Sequence, residues 1–227
     1  MSQSPCSGGS GFRTIEASDR ALLLVFDERI SRAAHLDVVR LAPLLQAVRG
    51  VTNVHPAYAS ILIDFDPRAI RHAGLERAAA ELFAQAAAAP LPEARTLEIP
   101  VVYGGDDGPD LEAVAALNGH TPDEVVAIHS GAGYLVYFLG FSPGFPYLGG
   151  LPETIAAPRL ETPRRRVPAG SVAIGGQQTG VYPTASPGGW RIIGRTPLRL
   201  FDPAGDPPCL LRMGDHVRFV PLAKGAL

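Results

Sequence analysis

The stretch VPAGSVAIGGQQTGVYPTASPGGWRIIG, Val167 to Gly194, decides how the second half of the chain is built. Its apolar runs, SVAIG and WRIIG, are short. Gly or Pro arrives before any of them could complete a second helical turn. The same pattern extends outward in both directions. YLVYFLGF precedes it, and LRLFD, CLLRM and HVRFVPL follow. Many short strands divided by Pro/Gly turns predict a β-barrel or sandwich. The 25 glycines and 22 prolines concentrate in this half.

The first half reads differently. ALLLVF (Ala21–Phe26) is a buried strand, and SRAAHLDVVRLAPLLQAVRG is a helix with Leu36, Val39 and Leu44 near helical spacing and Gly50 as its stop. VTNVH and YASILIDFD are strands joined at His55-Pro56-Ala57. Asp66-Pro67 then offers an N-cap and a first-turn proline to an Ala-rich helix that fades near Ala89. The order β-α-β-β-α, with TLEIPVVY as the candidate closing strand, is that of a small ferredoxin-like sandwich. Pro90-Leu91-Pro92 is the linker candidate. Beyond it, Leu111–Asn118 is a short helix, and TPDEVVAIHSG is a second with Thr121 as N-cap, Pro122 at N1 and Glu124 closing a capping box. The expected organisation is α+β: a disordered tail over 1–12, an α/β domain over 13–92 and a β-barrel over 93–227.

Bulk properties exclude several classes. A net charge of −2 and a pI near 6.3 give no electrostatic grip on nucleic acid or acidic lipid. Cys6 and Cys209 stand far apart with no metal-type spacing, which argues against a disulfide scaffold and for a reducing compartment. MSQSPCSGGSGF lacks the charge and apolar stretch of a signal peptide, and no apolar run is long enough for a membrane span. A cytoplasmic location is expected.

Catalytic motifs fail on context. Gly140-Phe141-Ser142-Pro143-Gly144 fits G-x-S-x-G, but Gly144, Pro146, Gly149 and Gly150 forbid the helix that a nucleophile elbow needs. Ser142-Pro143-Gly144-Phe145 reads instead as a type II turn. No lysine follows a glycine-rich loop, and no pair of histidines has zinc spacing, so no metal site is expected. His129 closes a helix, where a ring able to carry charge suits the negative end of the dipole. It is kept as a site candidate. Arg164-Arg165-Arg166 is either a solvated turn or a clamp for a carboxylate or phosphate.

The loop FLGFSPGFPYLGGLP, Phe138–Pro152, is apolar and stiff. Each of Phe138, Phe141, Phe145 and Tyr147 would bury about 150–250 Å², more in sum than a monomer leaves exposed. Their cover is the barrel itself, a ligand or a partner. Turns carrying Gln177, Gln178, Thr179, Tyr182, Ser186 and Trp190 add amide, hydroxyl and aromatic groups suited to a small polar, amide-like molecule. Bottom-up, the chain reads as a rigid recognition surface without a strong base or nucleophile.

LGFSPGFPYLGGLP and PRRRVPAGSVAIGGQQTGVYPTASPGGWRIIGRTPLRLFDP resemble the KipI family, also called PxpB (the B component of ATP-dependent 5-oxoprolinase) and allophanate hydrolase subunit 1. ALLLVF, VTNVHPAYASILIDFDP and EIPVVYGGDDGPDLEAVA fit the same pattern. Departures are small: Ser18-Asp19 replaces an expected Gly-Asp, and Val181 replaces the usual Ile. The resemblance implies a ferredoxin-like N-terminal domain followed by a cyclophilin-like β-barrel, a likeness of fold that carries no isomerase activity by itself. It implies two partners from the same enzyme, a homologous C component and an A component. ATP and Mg²⁺ would serve the assembled complex, in which 5-oxo-L-proline is phosphorylated and then opened to glutamate. Under that implication Arg164, Arg166 and His129 are the catalytic candidates. Gln178, Thr179, Tyr182, Ser186 and Trp190 would bind substrate, and Phe141, Pro143, Phe145 and Tyr147 would wall a pocket or meet a partner. Two alternatives stay open: a KipI-like inhibitor of a sensor histidine kinase, and a part of a urea amidolyase-type carboxyl transfer system.

Overall fold

The computed structural model describes residues 11–86, 91 and 94–223. Most of the expected tail, and Pro90 and Pro92 of the expected linker, lie outside the described residues. The chain divides into two compact units, Met1–Glu93 and Ala94–Leu227. Among the described residues no helix is long and apolar enough to cross a membrane.

The first unit runs β1 (Arg13–Ser18), β2 (Ala21–Val25), α1 (Arg32–Gln46), β3 (Val51–Pro56), β4 (Ser60–Phe65) and α2 (His72–Ala86). Its sheet has the order β1-β2-β4-β3, antiparallel throughout. Alternate residues Leu22, Leu24, Ile61, Ile63 and Phe65 are buried, as period-two side-chain placement requires. The expected β-α-β-β-α order is present from β2 to α2, but the fourth strand of the sheet is not the one expected. β1 takes the edge beside β2, where Thr96–Tyr103 was expected. Its position is local: β1 and β2 form a hairpin turning at Asp19-Arg20, the cheapest pairing available to a chain. The expected tail is correspondingly too long, because Phe12 is buried and packs edge-on against Phe26 and Phe83.

Helix starts follow local chemistry. Ser31 caps α1 by accepting from the Ala34 amide at 3.2 Å. Asp66 does cap, but it caps a turn: its carboxylate accepts from the Arg68 amide, and α2 begins only at His72.

The second unit contains β5 (Thr96–Tyr103), α3 (Leu111–Asn118), α4 (Pro122–Gly131), β6 (Tyr134–Leu139), β7 (Pro146–Gly149), β8 (Arg164–Val167), β9 (Ser171–Gly175), β10 (Gln178–Val181), β11 (Ser186–Gly188), β12 (Arg191–Arg195) and β13 (His216–Pro221). Seven strands close a barrel in the order β10-β7-β6-β13-β5-β12-β9. Closure removes sheet edges. Ile99, Val101, Tyr134, Val136, Leu148, Ile174, Ile193, Val217 and Phe219 fill the barrel, so it is a packed core. β8 and β11 form a separate two-stranded arm. The capping box on α4 is present as expected, with Thr121 and Glu124 bonded reciprocally.

LRLFD and CLLRM are not strands. They meet through one isolated bridge, Phe201 with Cys209. Pro203, Pro207 and Pro208 carry no amide hydrogen, so a longer ladder cannot form between them.

Candidate functional site

Two of the expected site residues lie inside the barrel. The Thr179 hydroxyl donates to the Ala173 carbonyl at 3.0 Å. It therefore accepts from Nε2–H of His129, also at 3.0 Å. Nδ1 of His129 is left to accept from the Tyr103 hydroxyl at 2.8 Å. The Tyr134 hydroxyl donates to the His129 carbonyl at 2.8 Å, satisfying the end of α4. Burial pushes the imidazole down to about 3 and raises both Tyr103 and Tyr134. The ring is neutral and fully enclosed. His129 and Thr179 thus hold the barrel together from within, and neither offers a free atom to a ligand.

The turn at Ser142-Pro143-Gly144-Phe145 has the expected form. Phe145 N–H donates to the Ser142 carbonyl at 3.0 Å, and Gly144 has φ +78°. β7 follows it, not a helix. Phe145 is buried against Tyr182 and Trp190, with centroid separations of 5.3 and 5.6 Å. Tyr147 stacks on Phe138 at 4.5 Å and meets Phe145 edge-on. The cover for most of the greasy loop is therefore the chain's own barrel. Phe141 is the exception. It is 63% exposed, has φ +63° and leans edge-on toward Phe145 and Tyr182. Pro143 beside it is exposed as well.

Tyr182 is the hub of this face. It is buried, and burial raises its phenol, while the charges of Arg159 and Arg164 act the other way. A Cβ on Gly188 would collide with its hydroxyl. Trp190 lies on Gly175, where a Cβ would fall 2.5 Å from the indole. Its ring carries the Arg159 guanidinium 5.8 Å from the centroid. Ser186 and Arg164 belong to the arm. The register slips between Ser186 and Gly188, which pair with Val167 and Arg164 respectively. The resulting bulge lets Arg164 turn inward although it stands an odd number of residues from buried Val167. Nη2 of Arg164 donates to Asp110 Oδ1 at 2.7 Å, and Asp110 Oδ2 accepts from the Ile192 amide at 2.7 Å. Nη1 of Arg164 and the hydroxyls of Ser186 and Ser142 are buried with no hydrogen-bond partner. Arg166 is exposed, and Gln178 is half-buried at the start of β10.

The structure thus brings together Arg164, Tyr182, Ser186, Trp190, Phe141, Phe145 and Tyr147, and it separates His129 and Thr179 from them. Sequence reasoning missed Arg159, Asp110 and Gly188. For Asp110 a signal existed, since Asp before a helical run is a cap candidate. Its side chain instead bonds Arg164 and Ile192, and it makes no cap bond to α3. A concavity of about 520 Å³ lies beside the loop and is lined by Gly170, Pro183, Thr184, Leu198, Arg199 and Phe201 among others. Its one cation, Arg199, is tied to Asp202 at 3.0 Å. Among the described residues no three His, Cys, Asp or Glu side chains gather to hold a metal. No glycine-rich loop opens a helix with a lysine.

The second unit is thus a closed seven-stranded barrel with an aromatic face that carries Arg159 over Trp190. The family model for the carboxyltransferase domain, subdomain C and D, matches residues 12–211, and the chain belongs to that family. It is 48% identical to the B component of 5-oxoprolinase from Escherichia coli O157:H7 over 208 residues, 91% of this chain and 94% of that one. It is 43% identical to the B component of 5-oxoprolinase from Bacillus subtilis (strain 168), over 92% of each chain. The crystal structure of TTHA0988 superposes with a TM-score of 0.80 at 39% identity, covering 92% of this chain but 41% of that longer one.

Proposed function

We propose that this chain is the B component of an ATP-dependent 5-oxoprolinase. It acts with a homologous C component to activate 5-oxo-L-proline, and the A component completes ring opening to L-glutamate. The observation that supports this reading best is identity of 43–48% to proteins of that name across more than nine-tenths of both chains. A five-membered lactam is a poor electrophile, and phosphorylating its carbonyl oxygen creates a leaving group. Mg²⁺ and ATP are proposed for the assembled enzyme, where they would supply and neutralise the transferred phosphoryl group. This chain's share is recognition: Tyr182 and Trp190 for the flat ring, Arg164 for negative charge, and exposed Phe141 for the C component. A cytoplasmic location belongs to the same reading.

The test is reconstitution. The chain is co-purified with the C component, the A component is added, and ADP and glutamate release are measured with and without 5-oxo-L-proline. Release that needs every component is the expected result. A stable complex without turnover would overturn the assignment of substrate, and no complex at all would favour the kinase-inhibitor alternative.

A further inference from the structure

Phe141 stands where neither water nor its backbone favours it. The ring is 63% exposed, and its φ of +63° lies in the left-handed region. Ser142 N–H donates to the Gly140 carbonyl at 2.7 Å, which makes Phe141 the centre of a γ-turn of the rare, positive-φ kind. The loop holds this turn in place: Gly140 N–H donates to the Phe145 carbonyl at 3.1 Å, and Phe145 N–H to the Ser142 carbonyl at 3.0 Å. Backbone strain held by its surroundings collects at functional surfaces. A hollow abuts the same loop. A Cβ on Gly144 would fall 2.9 Å from Cβ of Phe201, and Gly170 N–H donates to the carbonyl of Tyr182, whose ring faces Phe141 edge-on. Phe201 and Gly170 both line the concavity of about 520 Å³, with Pro183, Ala185, Pro197 and Leu198. An apolar knob and an apolar hollow therefore lie side by side on the barrel.

A partner for this face must offer a hollow to Phe141 and an apolar group to the cavity. It must also match the charge pattern. Phe138–Pro152 carries no charged residue, and Arg199, the one charged residue of the cavity lining, sits 3.0 Å from Asp202. The face thus presents one charge of each sign on an apolar ground. The barrel itself meets all of these terms. A two-fold axis between two copies would bring Phe141 of each to the hollow of the other, and would set Arg199 of each against Asp202 of the other, so that opposite charges meet. The chain's net charge of −2 opposes such pairing only weakly. We propose that this face pairs two copies of the chain, with Phe141 of each seated in the hollow between Pro183 and Phe201 of the other. Resting on the reading above, the C component, a homologous barrel, takes the same face, and it displaces one copy when it binds.

The mass of the whole chain, on its own, is measured by sedimentation equilibrium over a wide range of concentration. A concentration-dependent doubling is expected. Phe141→Asn removes the knob. Ala185→Trp, at an exposed position of the lining, fills the hollow and leaves Phe141 in place. Each should weaken pairing by about tenfold or more, as loss of a central aromatic anchor does. Mixed together, the two variants should pair again in part, because the ring of one meets the open hollow of the other. Denaturation midpoints establish that each variant is folded, and if one is not, the other still decides. A monomer at every concentration, pairing that a folded variant leaves unchanged, or two folded variants that fail to recover on mixing would each overturn the proposal. Adding the C component should convert the pair into a one-to-one complex. The two readings fail separately. Pairing through Phe141 without any C complex leaves this interface standing and removes the partner assigned above. A C complex formed by a chain that never pairs does the reverse.

Discussion

The imidazole of His129 and the hydroxyl of Thr179 meet 3.0 Å apart inside the barrel. The proton between them belongs to the histidine, because Thr179 spends its own on the Ala173 carbonyl. That single assignment fixes the tautomer, makes Nδ1 an acceptor for Tyr103 and leaves a satisfied polar network in an apolar core. Neutrality is the condition for all of it, since a second ring proton would face the Tyr103 oxygen with no carboxylate bonded to the ring.

Stability should therefore fall with acid. The folded pKa of His129, about 3, lies below the unfolded value near 6.5, so between those limits the unfolded state binds the extra proton. The contribution is intact above about pH 6.5 and is lost as pH falls toward 3, at up to about 1.4 kcal/mol per pH unit. Buried His35, pushed down to about 4, adds slope of the same sign. Urea midpoints measured from pH 7.5 to 5 should decline for the wild type and about half as steeply for His129→Gln. An equal decline in both would place the titrating group elsewhere.

Gly188→Ala should disturb the site without touching the barrel interior. The new methyl would collide with the Tyr182 hydroxyl, and overpacking of this kind costs about 1–3 kcal/mol. Tyr182 must move, and Trp190 shares its cluster. The expected result is a lowered thermal midpoint with a shifted Trp190 emission maximum. An unshifted spectrum would mean that the arm yields in place of the phenol.

The features legible in the sequence are those that local chemistry settles. Thr121 and Glu124 cap α4 because they are three residues apart, and Gly144 completes the turn after Pro143 because few other residues take its φ. Barrel strands such as β9 and β12 show as short runs between Gly/Pro turns. Tertiary competition is not legible in this way. TLEIPVVY looks equally suited to either sheet, and what decides is parallel pairing with β13, more than a hundred residues later. Thr179 sits among turn residues in sequence, yet it lies in β10 facing the core, opposite Ile174. Asp110, Arg159 and Arg164 converge only after the barrel closes.

Thr121→Ala offers a calibrated local test. The hydroxyl accepts from the Glu124 amide at 3.2 Å, and the Glu124 carboxylate reaches back to the Thr121 amide at 2.7 Å. Those bonds hold the Glu124 carboxyl below its ordinary range. Loss of the cap should cost about 1 kcal/mol. Denaturation at neutral pH measures it, and a loss within error would show that α4 is held by packing alone.

Phe141 and Phe145 share one loop but should behave oppositely when changed. Phe145 is buried beneath Tyr182 and Trp190, so Phe145→Ala removes a packed ring and should cost about 3–5 kcal/mol. Phe141 is mostly exposed and holds a left-handed backbone that a phenylalanine adopts at a cost of about 1–2 kcal/mol. Asn tolerates that conformation, so Phe141→Asn should leave the denaturation midpoint close to wild type. If the strained, exposed ring is the contact for the C component, as proposed, the same variant should lose that component on co-purification. A Phe141→Asn chain that is markedly destabilised, or that retains the C component fully, would return Phe141 to the barrel's own packing.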